Sequence, residues 1–183
     1  ISLGLVGSEM CIRDRFQSKL KALYSVAYAV KNAYKKREKD FVVPKLEGLW
    51  WAEGEELLGG SEPESWRWKL AIRIPKFVSA TAVERAKAKV VEKRRLKLAE
   101  EVKLEEIALG KCVQVLHVGP YSGVSKSIKE LVDFAKKNGF NIAREVHEVY
   151  LSDPRRTPEE KLKTIVRIRV LEQGDGSSAR SAV

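Results

Sequence analysis

The segment EVHEVYL, residues 145 to 151, sets a carboxylate among apolar and phenolic side chains. Strand parity puts Glu148 on one face with Ile142, Val146 and Tyr150. A carboxylate on a mostly apolar face is costly unless something pairs with it. A structural arginine or lysine would satisfy it. In the functional alternative, Glu148 has a raised pKa and faces a ligand, where it orients water or counters a cation. His147 points to the opposite face, and a lone strand histidine carries little weight. His117 precedes Gly119-Pro120-Tyr121, so Tyr121 stands at a strand-to-helix turn where its hydroxyl reaches a cleft mouth or its ring simply packs.

All four tryptophans fall in residues 46 to 75, the one clearly acidic segment, where six glutamates including Glu47 outnumber Arg67, Lys69 and Arg73. Aromatic faces beside carboxylates suit a flat or cationic organic molecule, through stacking, cation-π attraction and a counter-charge. Trp66 and Trp68 share a face with Leu70 and Ile72, and core packing is the favoured reading for both, with Trp68 kept as a candidate ligand contact. Trp50 and Trp51 are adjacent and point to opposite faces of a strand, so one of them is expected to line a cleft, an interface or an exposed patch.

The chain has 183 residues, 44% hydrophobic and 33% charged, which suits one ordinary domain and excludes wholesale disorder. Its net charge of +10 invites a nucleic-acid reading. The excess, however, lies on helical segments: residues 16 to 45 carry eight basic and two acidic residues. Single-strand binders interleave stacking aromatics with Lys and Arg, and here the aromatics sit with the acids. The expected partner is therefore a small molecule, with no direct nucleic-acid contact and no membrane span, and the oligomeric state is left open. Two cysteines, Cys11 and Cys112, and two histidines are too few for a disulfide framework or a Cys/His zinc site. A reducing, cytoplasmic compartment is expected, with no metal and no cofactor.

The elements that must position these residues alternate along the chain. A helix from Phe16 carries Leu20, Leu23, Ala27, Val30 and Tyr34 on one face. A strand is expected over 40 to 53, a loop over 54 to 65 and a half-buried strand over 66 to 74. Thr81 and Glu84 have capping-box spacing for a second helix, and residues 102 to 111 are ambiguous between helix end and strand. A strand over 112 to 119, a third helix stopped at Asn138-Gly139, and strands over 141 to 151 and 164 to 170 complete the order. The pattern is α+β: two tandem β-α-β-β units, the second repeating the first. Residues 16 to 79 form the first unit, 80 to 111 a linking helix, 112 to 171 the second unit and 172 to 183 a frayed tail. Residues 1 to 15, ISLGLVGSEMCIRDR, resemble the translation of a sequencing adapter of the kind fused to fragments predicted from assembled reads. They are expected to lie outside the fold, leaving the first unit without its opening strand.

The motifs KDFVVPKLEGLWWAEG, WRWKLAIRIPKFV, CVQVLHVGPYS and EVYLSDPRRTPEEKLKTIVRIRV resemble the GyrI-like (gyrase-inhibitor-like) small-molecule-binding family, and within it the stand-alone branch with a Trp-Trp pair. The resemblance implies two β-α-β-β units related by pseudo-two-fold symmetry around a ligand cleft, in a soluble protein that binds aromatic, lipophilic or cationic small molecules in that aromatic and carboxylate cleft and so protects against xenobiotics or genotoxins. Some members of that branch are cyclopropanoid cyclopropyl hydrolases, which open the strained ring of DNA-alkylating natural products by adding water. Related domains serve as effector-binding parts of transcription regulators. Carried over, Glu148 would orient the water and Tyr150 or Tyr121 would hydrogen-bond near the reacting centre. Trp50 or Trp51 would stack on the ligand, with Glu47, His117 and Trp68 as further ligand-binding candidates.

Overall fold

The structure, a computed structural model, describes residues 1–8, 12–52 and 66–171. Its strands are β1 (Ser2–Ser8), β2 (Glu47–Ala52), β3 (Trp66–Arg73), β4 (Lys103–Glu105), β5 (Cys112–Val118), β6 (Asn141–Tyr150) and β7 (Lys163–Leu171). The helices are α1 (Ile12–Lys35), α2 (Ala80–Arg94) and α3 (Val124–Lys137). All seven strands join one antiparallel sheet in the order β4-β1-β3-β2-β6-β7-β5. The order β1-β3-β2 on one side of the β2–β6 junction is mirrored by β5-β7-β6 on the other.

Strand β3 shows why this sheet forms. Trp68, Leu70 and Ile72 are buried on its helix-covered face, while Arg67, Lys69 and Arg73 alternate onto the other. The same parity runs through β7, where Thr164, Val166 and Ile168 are buried. Helix α1 lays Leu23, Val26, Ala27 and Val30 on the β1–β3 half, and α2 adds Val83, Ala86 and Val90 to that core. Helix α3 covers the other half with Val124, Ile128 and Leu131 against Val113, Val146 and Ile168. Trp50 packs against both cores.

Several boundaries differ from those read off the sequence. Residues 2 to 8 are not outside the fold: β1 occupies the opening-strand position, pairing with β3 and β4, with Leu3 and Leu5 in the core. The inner edge of β3 supplies N–H and C=O groups that need a strand, and alternate leucines separated by Gly4 satisfy both requirements. Gly7 also fits, since a Cβ there would lie 2.2 Å from the Trp68 ring. The strand expected from 40 begins only at Glu47; Phe41, Val43 and Leu46 reach the core from irregular chain that precedes it. The cap of α2 is Ser79, whose hydroxyl accepts from the Ala82 N–H at 3.3 Å, and not Thr81; Glu84 pairs with Lys87 at 2.9 Å. The ambiguous stretch resolves into a 3₁₀ turn, Lys97–Glu101, followed by β4. The C-terminus of α3 is as expected: Gly139 adopts φ 69° and the Phe140 N–H returns to the Ala135 carbonyl at 2.9 Å. The expected loop over 54 to 65 and the expected tail over 172 to 183 lie outside the described residues.

The two halves meet along only four register pairs of β2 and β6, from Glu47–Val149 to Trp50–Val146. Helix α1 packs on β1 and β3, and α3 packs on β5, β6 and β7. The face of β2 that carries Trp50 therefore lies in the trough between the helices. A register irregularity between Ile142 and Val146 leaves the parity of Val146, Glu148 and Tyr150 intact.

Candidate functional site

Trp50, Glu148 and Tyr150 come together on the floor of this trough. The indole N–H of Trp50 donates to the Tyr150 hydroxyl at 3.0 Å. That hydroxyl in turn lies beside the Glu148 carboxylate and is coupled to it electrostatically. Gly48 lies beneath the contact, because a Cβ at this position would sit 2.7 Å from both Trp50 Nε1 and the Tyr150 hydroxyl. The missing side chain lets two large rings from different halves meet. Tyr121 closes one side: it lies in the 3₁₀ turn Tyr121–Gly123 that leads into α3, is 42% exposed, and sets its ring edge-on to Tyr150 with centroids 5.8 Å apart.

Burial pushes the Glu148 carboxyl above the ordinary carboxylate range, and the Tyr150 hydroxyl and the charge of His117 only partly offset it. Burial and the neighbouring Glu148 charge push the Tyr150 hydroxyl well up, so it remains a donor. Tyr121 is raised by burial, then by Glu148 and Asp153. No arginine or lysine forms an ion pair with Glu148 among the described residues, which separates it from the structural ion-pair reading. A carboxylate beside an indole and two phenols can counter a cation or accept a proton from water.

His117 borders the same cluster in a fixed role. Its Nε2 donates to the Pro120 carbonyl at 3.0 Å and its Nδ1 meets the Ser127 hydroxyl at 3.0 Å. Both ring nitrogens are thus engaged, tying β5 to α3 and holding the turn that carries Tyr121. Trp68 is 1% exposed beneath Trp50, with ring centroids 6.4 Å apart, and supports the floor without lining it. Trp66 is half-buried against the second core.

Glu47 and Trp51 project from the opposite face of β2, away from Glu148. Glu47 is buried, accepts from His147 Nε2 at 2.8 Å and binds Arg73 Nε at 2.7 Å. Burial alone would raise its pKa; the His147 hydrogen bond and the Arg73 charge outweigh that and hold the carboxyl below its ordinary range. His147, given little weight in the sequence, is the centre of this second cluster, with Nδ1 buried and without a partner among the described residues.

Sequence reasoning missed Tyr24 and Tyr28, which stack on α1 with centroids 6.3 Å apart. Tyr24 is raised by burial and by Tyr28 and Asp153, and it interacts with the backbone of Leu46, whose carbonyl receives the Tyr150 N–H at 3.0 Å. These tyrosines therefore stand on the α1 side of the trough. Two tyrosines four apart, off the apolar stripe of helix one, were the available signal. Asp153 is held at a pKa of about 2 by hydrogen bonds from Arg155, and its charge is felt by both Tyr24 and Tyr121. Two surface hollows, of about 470 Å³ along α2 and about 410 Å³ among Arg73, Gln114 and Arg167, touch none of Trp50, Glu148 and Tyr150. Among the described residues no group of three or more His, Cys, Asp and Glu could hold a metal ion, and no helix is long and apolar enough to cross a membrane.

One antiparallel sheet carrying two mirrored helix-covered halves, with aromatic rings and a buried carboxylate where they meet, defines a class of small-molecule-binding α+β domains. The chain belongs to the GyrI-like family: the model of the GyrI-like small molecule binding domain matches residues 12–171. Among solved structures, a conserved protein from Listeria innocua is 34% identical, with a TM-score of 0.83 over 93% of this chain and 87% of that one. A hydrolase from Listeria innocua is 33% identical, with a TM-score of 0.81 over 93% of this chain and 86% of that one. The C-terminal domain of EcmrR shares the fold, with a TM-score of 0.58 at 12% identity over 93% of this chain and 90% of that one. Among curated proteins, none matches the chain.

Proposed function

We propose that this protein binds aromatic, lipophilic or cationic small molecules in the trough between α1 and α3 and protects against xenobiotics. The observation that carries this reading is the Trp50–Tyr150–Glu148 cluster: a carboxylate of raised pKa with no arginine or lysine partner, next to an indole whose N–H is already engaged. A bound organic cation would supply the missing counter-charge, and Trp50, Tyr121 and the Tyr24–Tyr28 pair would supply ring faces. Titration with planar cations and lipophilic drugs, followed by tryptophan fluorescence and calorimetry, tests it. Binding that weakens at least about tenfold in Glu148→Gln for cations, but less for neutral drugs, is expected. Unmoved fluorescence and no heat across the panel would remove the proposal.

A second reading is favoured by the hydrolase from Listeria innocua at 33% identity. Here the ligand is a cyclopropane fused to a conjugated carbonyl, as in DNA-alkylating natural products. Glu148 takes a proton from water and the oxygen attacks the strained carbon. The carbon–carbon bond breaks, and its electron pair enters the conjugated carbonyl, which is then protonated. A raised pKa suits a base working nearer neutrality, and positioning contributes the rest, since the ring is already activated. Glu148→Gln is expected to bind the cyclopropane but not turn it over; equal rates for both forms would exclude the role.

A further inference from the structure

We infer that strand β5 is a pairing edge for a second copy of this chain, joined antiparallel about a two-fold axis at Val115. The two ends of the sheet differ in kind. At one end β4 has three residues, two of them charged, Lys103 and Glu105. Short, charged strands are how proteins blunt an edge. At the other end β5 presents seven residues, CVQVLHV, with no lysine, arginine, acid or proline, and among the described residues it pairs only with β7. It also leaves Leu116 and Val118 50% and 54% exposed.

The direction of the free groups fixes the register. The Lys111 carbonyl receives the Val170 N–H and the Gly119 N–H reaches the Leu162 carbonyl, so the odd-numbered residues of β5 face β7. The N–H and C=O of Cys112, Gln114, Leu116 and Val118 therefore point outward. A two-fold at Val115 sets Gln114 against Leu116 of the other copy and Cys112 against Val118, so every outward group of both strands is paired. No charged side chain meets another across this seam, and the exposed Leu116 and Val118 gain cross-strand neighbours. A second copy is favoured over a chain of copies because the β4 edge offers no equivalent strand, so the contact closes on itself as a dimer. The seam leaves β7 and β5 of each copy between the two troughs in one continuous sheet.

Sedimentation velocity on the full chain, from low micromolar to several hundred micromolar, tests the inference. A mass of twice 20.7 kDa is expected at the upper concentrations. Leu116→Pro removes one outward N–H and no bond to β7, so it should leave circular dichroism and melting nearly unchanged while returning the mass to a single chain. Leu116→Lys keeps the whole backbone and should raise the dimer dissociation constant at least about tenfold, a readout that stands even if the proline variant misfolds. Wild-type protein that stays at one chain's mass throughout, or a dimer that persists unweakened in Leu116→Lys, would overturn it.

Discussion

The indole N–H of Trp50 and the hydroxyl of Tyr150, 100 residues apart, meet at 3.0 Å directly over Gly48. The contact joins the two halves on the trough side of the sheet, and it exists only because position 48 has no side chain. Gly48→Ala would drive a methyl group into both partners at 2.7 Å. Denaturant unfolding should show a loss of about 1–3 kcal/mol, with tryptophan emission shifted as Trp50 leaves its partner. An unchanged spectrum and stability would mean that the rings yield without cost.

Glu148 should make stability fall as pH rises. Its folded pKa is raised, so the protonated form is the one the fold prefers. That contribution is fully present below the ordinary unfolded value and is lost as pH climbs through the raised folded value. Glu148→Gln removes the loss. Its melting temperature relative to wild type should be higher at pH 8 than at pH 4, by about 2–4 °C per kcal/mol in a chain of this size. A constant difference across that range would contradict the assignment.

The opposite sign holds for Glu47. Its carboxyl is held low in the fold, so its contribution is present above the ordinary carboxylate range and disappears as pH falls through the lowered folded value. Glu47→Gln should cost about 1–3 kcal/mol at neutral pH, because the charge is lost and one amide oxygen cannot serve both His147 and Arg73. The gap between variant and wild type should close in acid. Parallel stability curves down to low pH would show that the pair contributes nothing specific.

The tryptophans should separate by burial. Trp68, with its ring in the core against Phe16 at 5.1 Å, should lose about 3–5 kcal/mol on substitution by alanine. Trp51, half-buried on the other face, should lose far less in the same denaturation experiment and leave ligand binding in the trough intact.

Much of this was legible where burial follows a period. β3, β7 and α3 announce themselves because each buries one face completely, and Glu148 was found because parity put a charge on such a face. The parts that were not legible depend on contacts distant in sequence. Glu47 and His147 are each ordinary in isolation, and only the β2–β6 register places one beside the other. His117 read as a cleft histidine because nothing in its neighbourhood announces that Ser127 and Pro120 take both nitrogens. Residues 41 to 46 look like strand because they are mostly apolar, yet their side chains reach the core from chain that forms no ladder of its own. β1 was discounted for its resemblance to adapter sequence, although alternate leucines flanked by small residues are what the edge of β3 accepts.

The narrow β2–β6 junction also bears on how the sheet opens. Joining the halves through Glu47–Val149 and Trp50–Val146 closes a loop of about 100 residues, as long as the one that β4 closes on β1 within the first half. Long-range pairing of this kind is slow to form, and a seam of four register pairs is easily opened. Amide exchange should therefore be faster along β2 and the facing part of β6 than in β3 or β7, and a ligand spanning the trough should slow it. Uniform protection across all four strands would mean the halves open only together. On this view the trough is the molecule's hinge line, and an occupant of it acts as a clasp.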